Sequence, residues 1–398
     1  MVPDLRAAFN AQFSAARYAA FLEDLDRVHP GAIEFRVAET PVFVDAAFTQ
    51  KMLSTCEYIV DQVIDPRFRE MTDRAIPPNL RVPHENGHPH FIAFDFGICR
   101  SSRGEYEPQL IEMQGFPTLF AFQVLLPELS ARHFPAPEGY SCYLGGQDRA
   151  SYLALLKRIL LGNHPAEEVI LLEIFPHRQK TRIDFYCTTD YTGIRPVCLT
   201  ELIREGRRLY YLRDGKKTPV RRIYNRLIFD DLLQQSPEVQ QKGNLLFEDL
   251  DVEWVPHPNW FYRISKFTLP FLRHPYIPAT YFLSEVKQIP ADLDHYVLKP
   301  LFSFAGQGVV IDVTREDLDR VPDPENWILQ RKVPYAEAIQ TPGEPAKAEI
   351  RIFYFWEDGK PRPVPTNNLA RLSKGKMIGV RYNKDKVWVG GSFCWFER

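Results

Sequence analysis

The sequence predicts a mixed α/β protein in which helices and strands alternate along the chain. Three observations carry that expectation. Apolar residues recur at one-turn spacing in some segments and alternate strictly in others, so both periods are present. The 33 prolines are spread over the whole chain and punctuate many short connections. With 398 residues, 45% hydrophobic and 25% charged, the chain has an ordinary globular balance and enough length for two or three domains around a large core.

Composition also excludes several classes. The 49 Lys and Arg against 51 Asp and Glu leave a formal charge of -2, which argues against nucleic acid or an anionic membrane as the general partner. No run approaches the roughly 18 uncharged apolar residues of a membrane span, and Met1 to Ala20 lacks a signal-peptide stretch. The six cysteines are scattered without a Cys-x-x-Cys pair, so reduced cytoplasmic thiols are expected rather than a disulfide scaffold or a zinc site.

Taken in order, the first thirty residues read as helix, with Leu5, Phe9, Phe13, Tyr18 and Phe21 about one turn apart, ending before His29-Pro30-Gly31. A short strand and a helix from Asp45 to Val63 follow, then a polar, proline-rich loop through His90. Phe91 to Ile98 and Gln109 to Gln114 alternate as strands, joined by a polar segment containing Gly104 that suits a hairpin. A helix from about Leu119 to Ala131 closes an expected first domain, 1–135. The second, 136–255, reads as an α/β substrate-side unit: a buried strand in Glu167–Ile174, a helix near His177, and strands near Val197, Leu209 and Arg222. That order resembles a mononucleotide-type βαβ unit without a Gly-x-Gly-x-x-Gly, which disfavours a dinucleotide. The third, 256–398, alternates strands and helices again and ends on strand-like Val387–Cys394.

The segment Tyr296–Ile311 carries the strongest chemical signal. A strand bearing Lys299 runs into a loop of small residues, Ser303, Phe304, Ala305, Gly306, Gln307 and Gly308, and then into a second apolar strand. Glycines at 306 and 308 let backbone N–H groups converge on an anion, and a lysine beside them adds a point charge. A hairpin with a flexible turn and a surface lysine is the alternative. Upstream stand Ser265-Lys266 and Ile277-Pro278-Ala279-Thr280; downstream, Trp327–Arg331 forms a strand edge able to present polar backbone to a purine ring. In Glu349-Ile-Arg351 the period of two puts both charges on one face, either of a polar site or of a solvated sheet. Near the other end, Asp95 lies on the face opposite Ile92, Phe94, Phe96 and Ile98, while Glu112 and Gln114 share a face.

The ordered set Lys266, Ile277-Pro278-x-Thr280, Lys299-Pro300, Ser303–Gly308, Gln330 and Glu349-x-Arg351 resembles the nucleotide-binding lobe of the ATP-grasp superfamily. With its acids at the early hairpin, the chain resembles the circularly permuted members, such as the synthetase part of glutathionylspermidine synthetase. Their pattern is approximately Arg-x-Asp, then Glu-x-Asn and a Thr/Pro-rich turn; here Ala93 takes the place of the arginine and Gln114 that of the asparagine. The resemblance implies a permuted ATP-grasp core assembled from both ends of the chain, with an additional α/β domain of the pre-ATP-grasp kind. It implies ATP held by Lys266, Lys299, the Ser303–Gly308 loop and Gln330, a position where family members often carry Glu. It also implies Mg²⁺ ions held by Asp95, Glu112 and Gln114. Arg351, Arg371 and Arg381, with Asn383, would meet phosphate or substrate, a surface arginine being the alternative for each.

The expected reaction is ATP-dependent joining of a small-molecule carboxylate to an amine through an acyl phosphate, with release of ADP and phosphate. A small-molecule kinase and a nucleotide-binding protein without catalysis remain alternatives, the second because of Ala93 and Gln114. The basic run Arg207–Arg226 reads as a solvated hairpin or a nucleic-acid patch. His84, His88 and His90 lack zinc spacing with any cysteine, and no Gly-x-Ser-x-Gly appears.

Overall fold

The computed structural model describes residues 1–301, 308–375, 378, 383 and 385–398. The first expected helix is two, Pro3–Gln12 and Ala15–Val28. They part because Ser14 turns extended and its hydroxyl accepts from Arg17 N, opening the second helix. Asp45 does the same for Ala46–Ile64 by accepting from Phe48 N at 2.7 Å.

The core is organised by a five-stranded antiparallel sheet in the order Gly390–Ser392, Val364–Ser373, Lys347–Phe355, Phe91–Arg100, Tyr106–Gln114. Strands from the two ends of the sequence are therefore direct neighbours, with Arg351 opposite Asp95 and Asp95 opposite Glu112. Alternation assigns the faces. Ile92, Phe94, Phe96 and Ile98, with Ile350, Ile352 and Tyr354, join one buried cluster with Phe48, Met52, Cys56 and Ile59 of the Ala46–Ile64 helix. On the reverse face Phe91, Ala93, Phe353 and Phe355 pack with Tyr152, Leu156 and Ile159 of the Arg149–Leu161 helix. One step further along that reverse face the apolar residues give way to Asp95, Glu349 and Arg351, all buried.

A four-stranded parallel sheet runs Glu253–Val255, Arg222–Asn225, Val169–Glu173, Arg195–Cys198. The helical part expected near His177 is a 3₁₀ turn, Pro176–Arg178, followed by the helix Arg182–Thr192. A third sheet, antiparallel, orders Thr280–Phe282, Trp327–Arg331 and Tyr296–Pro300. The second strand expected after the glycine loop shortens to a single bridge, Val310 to Leu298, and the chain after Ser265 forms a 3₁₀ segment, Lys266–Phe271.

Part of the basic run forms the small antiparallel sheet Ile203–Glu205, Arg208–Arg213, Lys216–Val220. Exposed acids answer several of its charges, among them Arg207 with Asp251 at 2.9 Å and Arg204 with Glu248 at 2.5 Å. Arg222 and Arg226 are instead buried in the parallel sheet and the connection after it. All six cysteines are free and buried. Among the described residues, no helix is long and apolar enough to cross a membrane.

Candidate functional site

The polar patch on the reverse face of the central sheet follows from its register. One rung reads Glu112, Asp95, Arg351; the next reads Gly97, Glu349, Arg371. Arg351 grips Asp95 in a two-pronged pair, Nε to Oδ1 and Nη2 to Oδ2, both at 2.5 Å. Arg371 donates to Asp95 Oδ2 at 2.9 Å and also to Glu349 Oε1. The other Glu349 oxygen accepts from the Tyr335 hydroxyl at 3.2 Å. Gly97 makes that contact possible: a Cβ there would stand 2.8 Å from Val333 Cγ1 and 2.9 Å from the Tyr335 ring.

Burial and pairing move these groups in opposite senses. Burial alone would raise Asp95, but Arg351 and Arg371 outweigh it and hold the carboxyl below its ordinary range. Burial pushes Glu349 up to about 7, with Arg371 pulling the other way.

The lysines reach the same patch from the third sheet and the 3₁₀ segment. Lys299 is buried and donates to Gln330 Oε1 at 2.6 Å and to Ile111 O at 3.4 Å, so it ties that sheet to the Tyr106–Gln114 strand. A lysine has only donors, so the Gln330 oxygen must face it; the amide nitrogen is buried and has no partner. Burial lowers Lys266 to about 8, opposed by the Glu112 charge and reinforced by Lys299; burial lowers Lys299 as well, again opposed by Glu112. Glu112 is thus the charge common to both lysines. It is 38% exposed and stands 3.8 Å from Arg351 Nη2.

Gly115 lets the turn after Gln114 lie directly on the segment leading to Lys266. Its N–H donates to Ile264 O at 2.9 Å, and a Cβ would meet Trp260 O at 2.5 Å.

The turn continues into Thr118, which links this patch to the parallel sheet. The Thr118 hydroxyl accepts from Arg351 Nη1 at 3.3 Å, and its carbonyl accepts from Arg226 Nη1 at 2.6 Å. Arg226 also pairs with Asp184 at 2.8 Å, and Asp184 in turn caps the Phe122–His133 helix by accepting from Ala121 N and Phe122 N. At the carboxyl end of the central parallel strand, burial pushes Glu173 up to about 8, against the pull of Arg226. Ligands of open parallel sheets bind at this edge.

Of the residues singled out in the sequence, Asp95, Glu112, Lys266, Lys299, Gln330, Arg351 and Arg371 share one connected patch. Gln114 stands opposite Ala93 on the hairpin. Gly308 adopts φ +72° where the chain returns to the bridge at Val310. Ser303, Ala305, Gly306, Gln307 and Arg381 lie outside the described residues. Reasoning from the sequence missed Tyr335, Thr118, Asp184 and Glu173, and it read Arg226 only as part of a basic run. The available signal was a charged residue ending an otherwise apolar strand, which Glu173 displays.

The mixed α/β architecture is similar to that of a solved glutathione synthetase-like protein. A glutathione synthetase-like effector of Globodera pallida, solved in its apo form, matches with a TM-score of 0.61 over 96% of this chain and 96% of that chain, at 12% sequence identity. The likeness is one of fold. No protein-family model and no curated protein sequence matches the chain.

Proposed function

We propose that the protein is an ATP-dependent carboxylate–amine ligase with a circularly permuted ATP-grasp core. The observation that carries this reading is the meeting of Glu112, encoded early, with Lys266 and Lys299, encoded some 150 positions or more later. Four cations, Lys266, Lys299, Arg351 and Arg371, face three carboxyls, Asp95, Glu112 and Glu349, the last raised by burial to about 7. Such a surface attracts a polyanion.

In this reading Lys266 and Lys299 hold the polyphosphate, and Gln330 lies by the base. The acid substrate occupies the carboxyl edge of the parallel sheet near Arg226, Glu173 and Thr118, and the amine enters beside it. The substrate carboxylate attacks the γ-phosphate; Arg351 and Arg371 neutralise the charge that builds on the transferred group, and the amine then displaces phosphate. The residues perform positioning and charge neutralisation, and no protein nucleophile is required.

Magnesium, the metal of this fold family, fits only in part. Among the described residues no three His, Cys, Asp or Glu side chains form a metal-holding group. An ion that arrives with its polyphosphate needs one or two protein oxygens, and Glu112 with Gln114 meets that need. Bound there, it would supply neutralisation of the bridging phosphate oxygens.

The test is ADP release from Mg·ATP in the presence of acid and amine pools, with hydroxylamine added to trap acyl phosphate. A hydroxamate is expected. ADP without hydroxamate marks a kinase acting on an alcohol. Binding of nucleotide without any ADP marks a non-catalytic nucleotide-binding protein, a reading favoured by the arginines that occupy Asp95.

A further inference from the structure

We propose that Asp95 is a positioning residue that aligns Arg351 and Arg371 into an anion clamp, and that it is not a ligand of magnesium. The proposal rests on the polyphosphate cradle of the ligase reading and assigns a different task to one of its acids.

Geometry is the first support. Asp95 is 1% exposed, and its two oxygens already accept three N–H groups, one on Oδ1 and two on Oδ2. The partners are set by sheet register, not by long flexible reach: Arg351 is directly opposite, and Arg371 stands one rung over on the next strand. An ion on either oxygen would become a third positive centre packed around one buried carboxylate, next to guanidinium nitrogens 2.5 to 2.9 Å away. At the buried carboxylate of Asp95 such repulsion is poorly screened. Glu112 differs in each respect: it is part-exposed, its contact to Arg351 at 3.8 Å is longer than a hydrogen bond, and it faces both lysines.

The second support is what the arginines retain. Arg371 Nε is buried without an acceptor, while Arg351 Nη1 holds Thr118 only at 3.3 Å. Asp95 therefore fixes one side of each guanidinium and leaves donors for an incoming anion, a pre-paid orientation of the kind that strengthens binding.

Calorimetric titration with inorganic tripolyphosphate, once in EDTA and once in excess Mg²⁺, separates the two roles for D95N and E112Q. Removing a negative charge ought by itself to strengthen anion binding. If Asp95 aligns the clamp, D95N instead weakens metal-free binding by at least about tenfold, and magnesium improves its affinity by the same factor as in the unaltered protein. E112Q keeps or gains metal-free affinity and loses the magnesium factor.

The proposal is overturned if D95N binds as well or better in EDTA and loses the magnesium factor. It is equally overturned if E112Q, a part-exposed substitution that leaves the core intact, keeps that factor, or if the unaltered protein binds no tripolyphosphate in EDTA. Should D95N fail to fold, the E112Q titration decides. A protein that binds tripolyphosphate in this pattern yet forms no hydroxamate refutes the ligase reading and leaves the clamp standing.

Discussion

Two buried arginine clusters invite comparison. In the first, Arg263 is 2% exposed and spends every donor: Nε and Nη2 on Glu85, Nη2 also on Asp73, and Nη1 on the Arg69 carbonyl and the Thr72 hydroxyl. Asn259 completes it by pairing with the Val82 backbone and with Glu85. The second cluster, around Asp95, has a surplus of cations, a buried Arg371 Nε without an acceptor and two lysines within reach of Glu112. The first is closed and clamps the proline-rich loop onto the segment that carries Lys266. The second is open on one side. Saturation marks a charge cluster as scaffold, and a deficit of acceptors marks it as a place awaiting an anion.

Substitutions in the two clusters ought then to fail in different ways. R263A strands the buried Glu85 carboxylate and is expected to cost about 3–5 kcal/mol in denaturant unfolding, while the folded fraction binds nucleotide normally. Lost nucleotide affinity at full stability would erase the contrast. K299M, on the open side, is expected to weaken ADP binding roughly a hundredfold and to leave unfolding within about 1 kcal/mol, since a desolvated cation is removed; a large stability loss with normal affinity would make Lys299 scaffold too. G115A, between the two, forces a methyl against the Trp260 carbonyl and is expected to cost about 1–3 kcal/mol with weaker nucleotide binding, read by thermal unfolding and calorimetry.

The smallest effect concerns pH. Glu85 is held below its ordinary value, because Arg263 and Asn259 outweigh burial, so its contribution is present above the ordinary carboxylate range and is lost as pH falls through it. Glu349, raised by burial to about 7, behaves oppositely: its contribution is complete below the ordinary value and is lost as pH climbs toward 7. Unfolding free energies from pH 3 to 8 ought to show E85Q flattening the acid limb and E349Q the limb between about 4.5 and 7. Parallel profiles for the two variants would remove the distinction.

Much of the fold was legible because the decisive segments alternate cleanly. Ile92, Phe94, Phe96 and Ile98 announce a strand with one apolar face, and the acid at 95 has to point elsewhere. Glu349 and Arg351 were readable as a same-face pair for the same reason. Their partners were not. That Arg351 and Arg371 both meet Asp95 depends on strand register across more than 250 residues, which no local pattern contains. The break at Ser14 was hidden by continuous apolar spacing, and Tyr335 reaches Glu349 only because a glycine on a neighbouring strand leaves room. Arg226, like Arg222, was submerged in a basic run most of whose members are exposed, since charge counts along a chain do not record burial.

The central sheet has a temporal consequence. Phe91–Arg100 is an interior strand, yet the neighbour on one side is Lys347–Phe355. A ribosome delivers the early hairpin long before that neighbour exists, so through most of synthesis one flank of the hairpin is an unpaired edge with an acid already in place. Closure of the sheet is a late, long-range event, and the greatest risk of mispairing falls at the start of the molecule's life rather than under later stress.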